Sequence, residues 1–143
     1  MHVRNRQEHK VENQMGDLTK NFSKSEFNCN CGCVMPNDVF ENVEVHAYNL
    51  QTIRDFFKAP VTINSAFRCT TYNTKVGGAT KSQHLTGNAT DITIKGFTPD
   101  QVADIIEGLI SIDAIEQGGL GRYNTFTHYD RRGNEARWDN RTK

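Results

Sequence analysis

The most regular hydrophobic pattern in the chain begins just after Pro36. Residues with 3- and 4-residue spacing form one stripe there: Val39, Val43, His46, Leu50, Ile53 and Phe57. This spacing is typical of the buried face of an amphipathic helix. Asn37 or Asp38 offers N-cap chemistry, and Pro60 stands where the helix can no longer continue. We expect His46 to be a hydrogen-bonded core residue and not a metal ligand.

Two segments with alternating apolar and polar positions predict strands. They are residues 61–64 (VTIN) and 90–95 (TDITIK), and both are rich in β-branched side chains. Side chains alternate between the two faces of a strand, so Ile92 and Ile94 share one face of the second segment. Asp91 therefore points away from the face that the isoleucines bury.

A second amphipathic helix is predicted to follow. Thr98 and Gln101 form a capping box with Pro99 at the first helical position. The predicted buried face consists of Val102, Ile105, Ile106 and Leu109. The pattern predicts that this helix ends near Ile110.

The last part of the chain combines a bend with a strand. Residues 118–121 (GGLG) predict a glycine-rich bend, and residues 125–130 (TFTHYD) predict a strand. Phe126, His128 and Asp130 would share one face of that strand. The element order provides too few crossovers for a doubly wound sheet. We therefore expect an α+β domain with a central antiparallel sheet flanked by helices.

The first twenty residues differ from the rest in composition. Residues 1–20 are mostly polar and charged, and they show neither helical nor strand periodicity. Such a segment cannot bury enough apolar surface to offset its ordering entropy. We expect residues 1–20 to be a flexible N-terminal tail, with Met15 as a possible natural start. Residues 21–143 then form one folded domain.

Charge and hydropathy exclude several classes of protein. The 17 basic and 17 acidic side chains give a formal net charge of zero, so no overall field favours nucleic acid or an anionic membrane. The longest apolar run, residues 33–35, is far too short for a membrane span or the core of a Sec signal peptide. We expect a monomer without a Sec signal that binds neither nucleic acid nor membranes.

Candidate chemistry is concentrated in residues 82–91 (SQHLTGNATD). His84 and Asp91 lie seven positions apart across Gly87, where the chain can turn, so both can reach one ion. His128 would complete a set of two histidines and one aspartate and leave a position for water, as in catalytic zinc sites. From spacing alone, two solvated histidines and a turn aspartate remain an alternative.

The same segment resembles a known family. Its fixed positions match the SxHxxGxAxD signature of the zinc D-alanyl-D-alanine carboxypeptidases, which include L-alanyl-D-glutamate endopeptidases of phage lysins and share the hedgehog fold. Residues 63–68 and 72–79 resemble the SGYR and YNxxVGGA stretches of that family, with Ala66 at the usual glycine. Residues 119–130 resemble the GIGxY and FxHxD motifs of its smaller, phage-type branch. The resemblance covers about residues 21–138.

The resemblance implies roles for individual side chains. His84, Asp91 and His128 match the zinc ligands of the family. Arg68 matches a catalytic arginine that binds substrate near the scissile bond, where its planar fork suits a carboxylate or a developing oxyanion. Ser82 matches a substrate-binding serine, with a local turn hydroxyl as the alternative.

The reaction implied by the resemblance is zinc-dependent hydrolysis of an amide bond in the peptide stem of bacterial peptidoglycan. Which stem bond is cut stays open. Better-known members carry an acid three positions before the last histidine, where this chain has Thr125. We expect Asp130, on the same strand face as His128, to be either the catalytic base or the group that orients His128. Glu116 is the alternative base.

Two further features leave alternatives open. Cys29, Cys31 and Cys33 crowd together while Cys69 stands alone, a pattern that departs from common zinc ribbons. The cysteines are either structural thiols, with or without a partial disulfide, or the ligands of a second, structural zinc ion. Trp138 could stack on sugar, but packing against the protein is the expected role.

Two kinds of protein are consistent with these features. The first is a phage-type endolysin that is cytoplasmic until release, or virion-associated, and acts at the bacterial cell wall. The rival is a zinc-stabilised binding or structural module without turnover, such as a virion component, and Thr125 is its best support. A thiol redox protein would not explain the metal ligands in family order.

Overall fold

The computed structural model describes residues 16–142. The helices are α1 (Asn37–Phe57), α2 (Thr70–Lys75) and α3 (Pro99–Ser111), with short 3-10 helices at Lys24–Phe27 and Gln83–Thr86. The strands are β1 (Val61–Ser65), β2 (Ala89–Ile94), β3 (Gly119–Arg122), β4 (Thr127–Asp130) and β5 (Ala136–Asp139). No helix within residues 16–142 combines the length and apolar character needed to cross a bilayer.

The strands form a single five-stranded sheet in the order β1-β2-β4-β3-β5. Every neighbouring pair is antiparallel except β3 and β5, which run parallel. The predicted α+β class, with a sheet flanked by helices, is confirmed. The sheet is mixed because the last strand joins its edge beside β3 after a connection from β4.

The predicted N-terminal tail falls mainly on residues 1–15, which lie outside the described residues. Within the described part, residues 16–20 form a turn closed by a 2.9 Å hydrogen bond from the Gly16 N–H to the Lys20 carbonyl. Thr19 Oγ1 donates to Gln51 Oε1 of α1 at 2.7 Å. The division into a tail and a domain stays a prediction.

Helix α1 confirms the first hydrophobic stripe, since all six predicted positions are buried. The predicted cap at Asn37 or Asp38 is wrong. The N-cap is Pro36, which has an extended backbone and no side-chain cap hydrogen bond. The helix ends at Phe57; its C-cap is Lys58, whose φ of 52° is left-handed, and Pro60 follows in the connection to β1.

The glycine-rich segment is a strand and not the predicted bend. Residues 119–122 form β3, and a Cβ at Gly121 would collide with the indole of Trp138 on β5. A Cβ at Gly118 would likewise collide with the carbonyl oxygen of Asp130. These glycines allow the backbone to approach its neighbours closely. The strand is therefore as rich in glycine as a turn, which is why its sequence predicts a bend.

The two faces of the sheet have different surroundings. The face of Ile92, Leu120 and Tyr129 is buried beneath α1 and α3 in the hydrophobic core. His46 of α1 contacts this face as predicted for a core residue. Its Nδ1 accepts from Arg131 Nε at 3.3 Å, so its Nε2 carries the proton and donates to Thr90 Oγ1 at 2.9 Å, and its ring stacks on Tyr129. The opposite face carries Asp91 and His128.

We predict that His46→Gln removes part of the acid sensitivity of folding. Burial, and then the nearby charge of Arg131, hold the pKa of His46 well below its usual value. The unfolded chain therefore takes up a proton below about pH 6.5 that the folded chain does not, and the stability due to neutral His46 is lost as pH falls.

The measurement is urea unfolding of both proteins between about pH 5 and about pH 8. The gap in unfolding free energy between wild type and His46→Gln should narrow on acidification, by up to about 1.4 kcal/mol per pH unit below about pH 6.5. A gap that is the same at every pH would contradict the prediction.

Candidate metal site and pocket

The register of the sheet brings the predicted ligands together. Asp91 of β2 lies directly opposite His128 of β4, Gly121 of β3 lies opposite His128, and Trp138 of β5 lies opposite Gly121. Directly opposed residues share a face of the sheet. One row of side chains therefore crosses four strands on the face away from the core.

The 3-10 helix Gln83–Thr86 delivers the third predicted ligand, His84. Ser82 is its N-cap, and Ser82 Oγ accepts a 3.1 Å hydrogen bond from the His84 N–H. Gly87 ends the helix with a left-handed φ of 81°. The local turn role of Ser82 is thus observed, while its contact with substrate stays a prediction.

The three side chains form one compact donor set. His84 Nε2 lies 3.3 Å from Asp91 Oδ2, and His128 Nδ1 lies 3.0 Å from Asp91 Oδ1. The ligand atoms all lie within 4.8 Å of one another, and all three residues are buried. Zinc with bonds of about 2.0–2.1 Å in a tetrahedron needs ligand separations of about 3.3 Å. The donor set fits that ion.

The hydrogen bonds on the outer nitrogens determine which atoms face inward. His84 Nδ1 lies 2.6 Å from the Ala66 carbonyl oxygen, so it donates and leaves the lone pair of Nε2 toward Asp91. His128 faces a carboxylate on both sides; in the neutral ring we assign the proton to Nε2, which makes the shorter contact, 2.7 Å to Asp130 Oδ2 against 3.0 Å from Nδ1 to Asp91 Oδ1. Lone pairs of both histidines then face a carboxylate. A divalent cation relieves this arrangement of acceptors, as does a proton.

Asp91 is held in its charged form. Burial alone would raise its pKa, but His128 and His84, in the forms that direct a proton instead of a lone pair at the carboxylate, lower the pKa of Asp91 far below the usual range through hydrogen bonds and charge. For His128, burial opposes protonation, yet the two flanking carboxylates raise its pKa above the usual value. The centre is therefore built around a buried anion, which a cation would neutralise.

Asp130 supports His128 from outside the donor set. Its side chain is fully buried; Oδ1 accepts from the Gly119 N–H at 2.9 Å, and Arg132 donates to both oxygens at 2.9 and 2.7 Å. Burial would raise the pKa of Asp130, but His128 and Arg132 lower it well below the usual range. Both oxygens are occupied, and the residue does not line the pocket.

The donor set lies in the wall of a cavity of about 540 Å³. Arg68 lines this cavity and is held in place by hydrogen bonds from its Nε to Ser65 Oγ at 3.2 Å and from its Nη1 to Asn73 Oδ1 at 3.1 Å. Its Nη2 lies 3.5 Å from Asp91 Oδ2. Position 78, next to Arg68 and Asn73, has room only for glycine, because a Cβ there would collide with the Asn73 side chain.

An aromatic wall closes another side of the cavity. The Trp138 ring lies 5.0 Å from the His128 ring, and Trp138 Nε1 donates to the Tyr123 hydroxyl at 2.9 Å. Trp138 thus packs on the protein as predicted, and it also lines the pocket. Neither Tyr123 nor Arg132 is among the site residues predicted from the sequence, although Tyr123 lies three residues before the FxHxD segment and Arg132 two residues after it.

The structure does not bring Glu116 to this site. Its Oε2 accepts from Asn49 of α1 at 3.3 Å, and its Oε1 lies 3.5 Å from Arg131. Thr125 is exposed and does not line the pocket either. Among the described residues that line the cavity, Asp91 is the only carboxylate.

Comparison with known proteins agrees with this geometry. A family model described as Peptidase M15 matches residues 20–130. The chain is also 37% identical over 78 residues to a protein of Streptomyces albus G named zinc D-Ala-D-Ala carboxypeptidase. That match covers 50% of this chain and 31% of the relative, so the chain spans about a third of the relative's length.

We predict that Asp130→Asn weakens metal binding at this site by about 10- to 100-fold, because an outer partner that orients a histidine ligand is lost. Trp138, the only tryptophan in the chain, lies beside His128 and reports metal binding through its fluorescence. Zinc titration of wild type and variant followed by this signal measures the change. The exposed Asp113→Asn is the matched control. Equal affinities for Asp130→Asn and wild type would contradict the positioning role.

Proposed function

The chain belongs to the peptidase M15 family, and on that premise we propose that it is a zinc-dependent peptidase acting on the peptide stem of bacterial peptidoglycan. The observation that carries this proposal is the convergence of His84, Asp91 and His128 in the wall of one cavity. The name of the Streptomyces relative supports both the metal and the substrate class.

The residues present fit the metal that this function requires. His84 would bind zinc through Nε2, His128 through Nδ1 and Asp91 through its carboxylate, because the other histidine nitrogens already donate elsewhere. When bound, zinc supplies a Lewis acid that polarises a carbonyl group and acidifies water. Three protein ligands leave a coordination position for water or substrate, as catalytic zinc sites do.

Arg68 is proposed to bind the substrate beside the metal site. Three of its five N–H groups are directed at Ser65, Asn73 and Asp91. The remaining N–H groups can donate to a substrate carboxylate or to a carbonyl oxygen that gains negative charge. Because its position is already determined by hydrogen bonds, little reorganisation is needed during the reaction.

Two hydroxyl groups complete the proposed substrate contacts. Ser82 lines the cavity, and its oxygen accepts from the His84 N–H, which leaves its own hydrogen for the substrate. The Tyr123 oxygen accepts from Trp138 Nε1, which leaves the hydroxyl hydrogen of Tyr123 to donate to the substrate. Both groups suit the amide and carboxylate oxygens of a stem peptide.

We assign Asp130 to the positioning of His128 and not to proton transfer. Its oxygens are buried and bonded to His128, Arg132 and the Gly119 N–H, which leaves no room for a substrate proton. Glu116 has no part in the proposed reaction, since its carboxylate bonds to Asn49 outside the pocket. Of the two sequence hypotheses for Asp130, the geometry favours the orienting group.

One observation favours a second candidate function. Thr125 replaces the expected acid, and the described residues that line the cavity include no carboxylate besides Asp91. A zinc-stabilised binding module without turnover, such as a virion component, would have no need of a separate base. The endolysin interpretation instead places a working enzyme at the cell wall.

Digestion of purified sacculi separates these functions. The zinc-loaded protein should release D-alanine or stem-peptide fragments, identified by mass spectrometry, and a chelator should stop the release. The released fragments also identify the bond that is cut. If no wall type yields a chelator-sensitive product while zinc stays bound, the binding module is correct and the peptidase proposal is wrong.

We predict that Arg68→Lys lowers kcat/KM for hydrolysis of the stem peptide by about 10²- to 10³-fold and leaves the zinc content unchanged. Lysine keeps the charge but loses the planar fork that binds an oxyanion or carboxylate. Arg54→Lys on α1 is the matched control, with wild-type rates expected. Unchanged turnover in Arg68→Lys would remove this arginine from the mechanism.

A further inference from the structure

We propose that Cys29, Cys31, Cys33 and Cys69 form a second, structural zinc site. The four Sγ atoms lie within 4.8 Å of one another, although Cys69 is far from the others in sequence. This site does not depend on the proposed peptidase activity. It uses none of the ligands of the His84 site.

The sulfur separations match a metal tetrahedron. Cys29 Sγ lies 3.4 Å from Cys31 Sγ and 3.9 Å from Cys69 Sγ, and Cys31 Sγ lies 3.7 Å from Cys69 Sγ. A tetrahedral zinc ion with Zn–S bonds of about 2.3 Å has sulfur separations of about 3.8 Å. A disulfide bond needs about 2.05 Å. The cluster therefore has the spacing of ligands around one ion and not that of bonded pairs.

The backbone around the cysteines favours this clustering. The Gly32 N–H donates to the Cys29 carbonyl at 2.9 Å, and Gly32 has a φ of 87°, a conformation that glycine adopts without strain. This turn gathers the three cysteines of the CNCGC segment. The Cys69 N–H donates to Cys29 Sγ, and the Tyr72 N–H donates to Cys69 Sγ, both at 3.4 Å. Such donors stabilise thiolate ligands.

Hydrophobic packing does not account for the convergence of the thiols. Cys29 is buried, but Cys31 is exposed and Cys33 and Cys69 are only half-buried. Cys29 belongs to the hydrophobic core and Cys33 and Cys69 pack against it, but the exposed Cys31 gains little from core packing and still lies with the other three. Four soft sulfur ligands in a closed set select zinc or iron and leave no position for water. Zinc in such a set is structural.

The proposed ion would connect two parts of the chain beside the pocket. Cys69 caps helix α2 and directly follows Arg68, while the segment of Cys29 continues from Phe27, whose carbonyl accepts from the Phe67 N–H at 3.1 Å. Zinc at the cysteines would therefore fix the backbone at Cys69 and, through it, the backbone of the neighbouring Arg68. Its expected effects are on stability and on the position of that arginine.

Metal and thiol analysis of the full chain tests the proposal. His84→Ala removes a ligand of the His84 site. The variant should still contain one zinc per chain, bound at the four cysteines, after purification without added metal. Its cysteines should react slowly with a thiol reagent until a chelator is added. Replacement by Co²⁺ should produce the intense thiolate-to-cobalt charge-transfer absorption in the near ultraviolet.

The double variant Cys31→Ser/Cys33→Ser in the His84→Ala background should lose this zinc and the cobalt absorption. Its Tm should fall by roughly 10 °C or more, because structural zinc contributes folding free energy. Val34→Ser changes an exposed position beside the cluster and is the control. It should keep both the zinc and the cobalt absorption. If the double variant fails to fold, the measurements on His84→Ala still decide.

Three results would overturn the proposal. The first is a zinc-free His84→Ala protein with four freely reacting thiols. The second is a mass under non-reducing conditions that shows a disulfide. The third is iron in place of zinc at the cysteines, which would refute the assigned ion.

Discussion

The pairing of β2 with β4 is the constraint on which the candidate site depends, because it places Asp91 directly opposite His128. A shift of this register by one residue would turn Asp91 toward the helices and Ile92 toward the pocket. The core prevents that shift. Thr90 and Tyr129, one position along on each strand, contact His46 of α1 on the opposite face. Core packing and site geometry are thus two results of one register.

Buried charge is the second constraint on the centre. Asp91 and Asp130 are anions on either side of His128, and burying them without partners would be costly. Arg132 neutralises Asp130 from outside, and Arg68 approaches Asp91 across the pocket. Zinc would supply the remaining positive charge at the inner face of the site, where the lone pairs of His84 and His128 meet the carboxylate of Asp91.

Local patterns in the sequence were sufficient for the elements that pack by periodicity. Spacings within one element predict the stripe of α1, the capping box at the start of α3 and the opposite directions of Asp91 and Ile92. The structure has all three, with Thr98 and Gln101 forming the capping box. The convergence of His84, Asp91 and His128 does not, since it depends on pairing between distant strands. Spacing left that set open, and only the family resemblance indicated it.

The points at which the structure goes beyond or departs from the sequence patterns have a common physical origin. The glycines of β3 predict a bend, but Gly119 makes room for the Asp130 and Arg132 side chains and Gly121 for that of Trp138. This long-range requirement produces the same glycine-rich composition as a local turn. Tyr123 and Trp138 meet only after β3 and β5 pair in parallel. Glu116 was a candidate base by sequence position, and its contact with Asn49 on α1 depends on helix packing.

Anomalous diffraction tests most directly whether His84, Asp91 and His128 bind one zinc ion. Crystals of the zinc-loaded chain, measured on both sides of the zinc absorption edge, should show a peak about 2.0–2.2 Å from His84 Nε2, His128 Nδ1 and an Asp91 oxygen. A zinc-loaded crystal with no anomalous peak among these atoms would contradict the account.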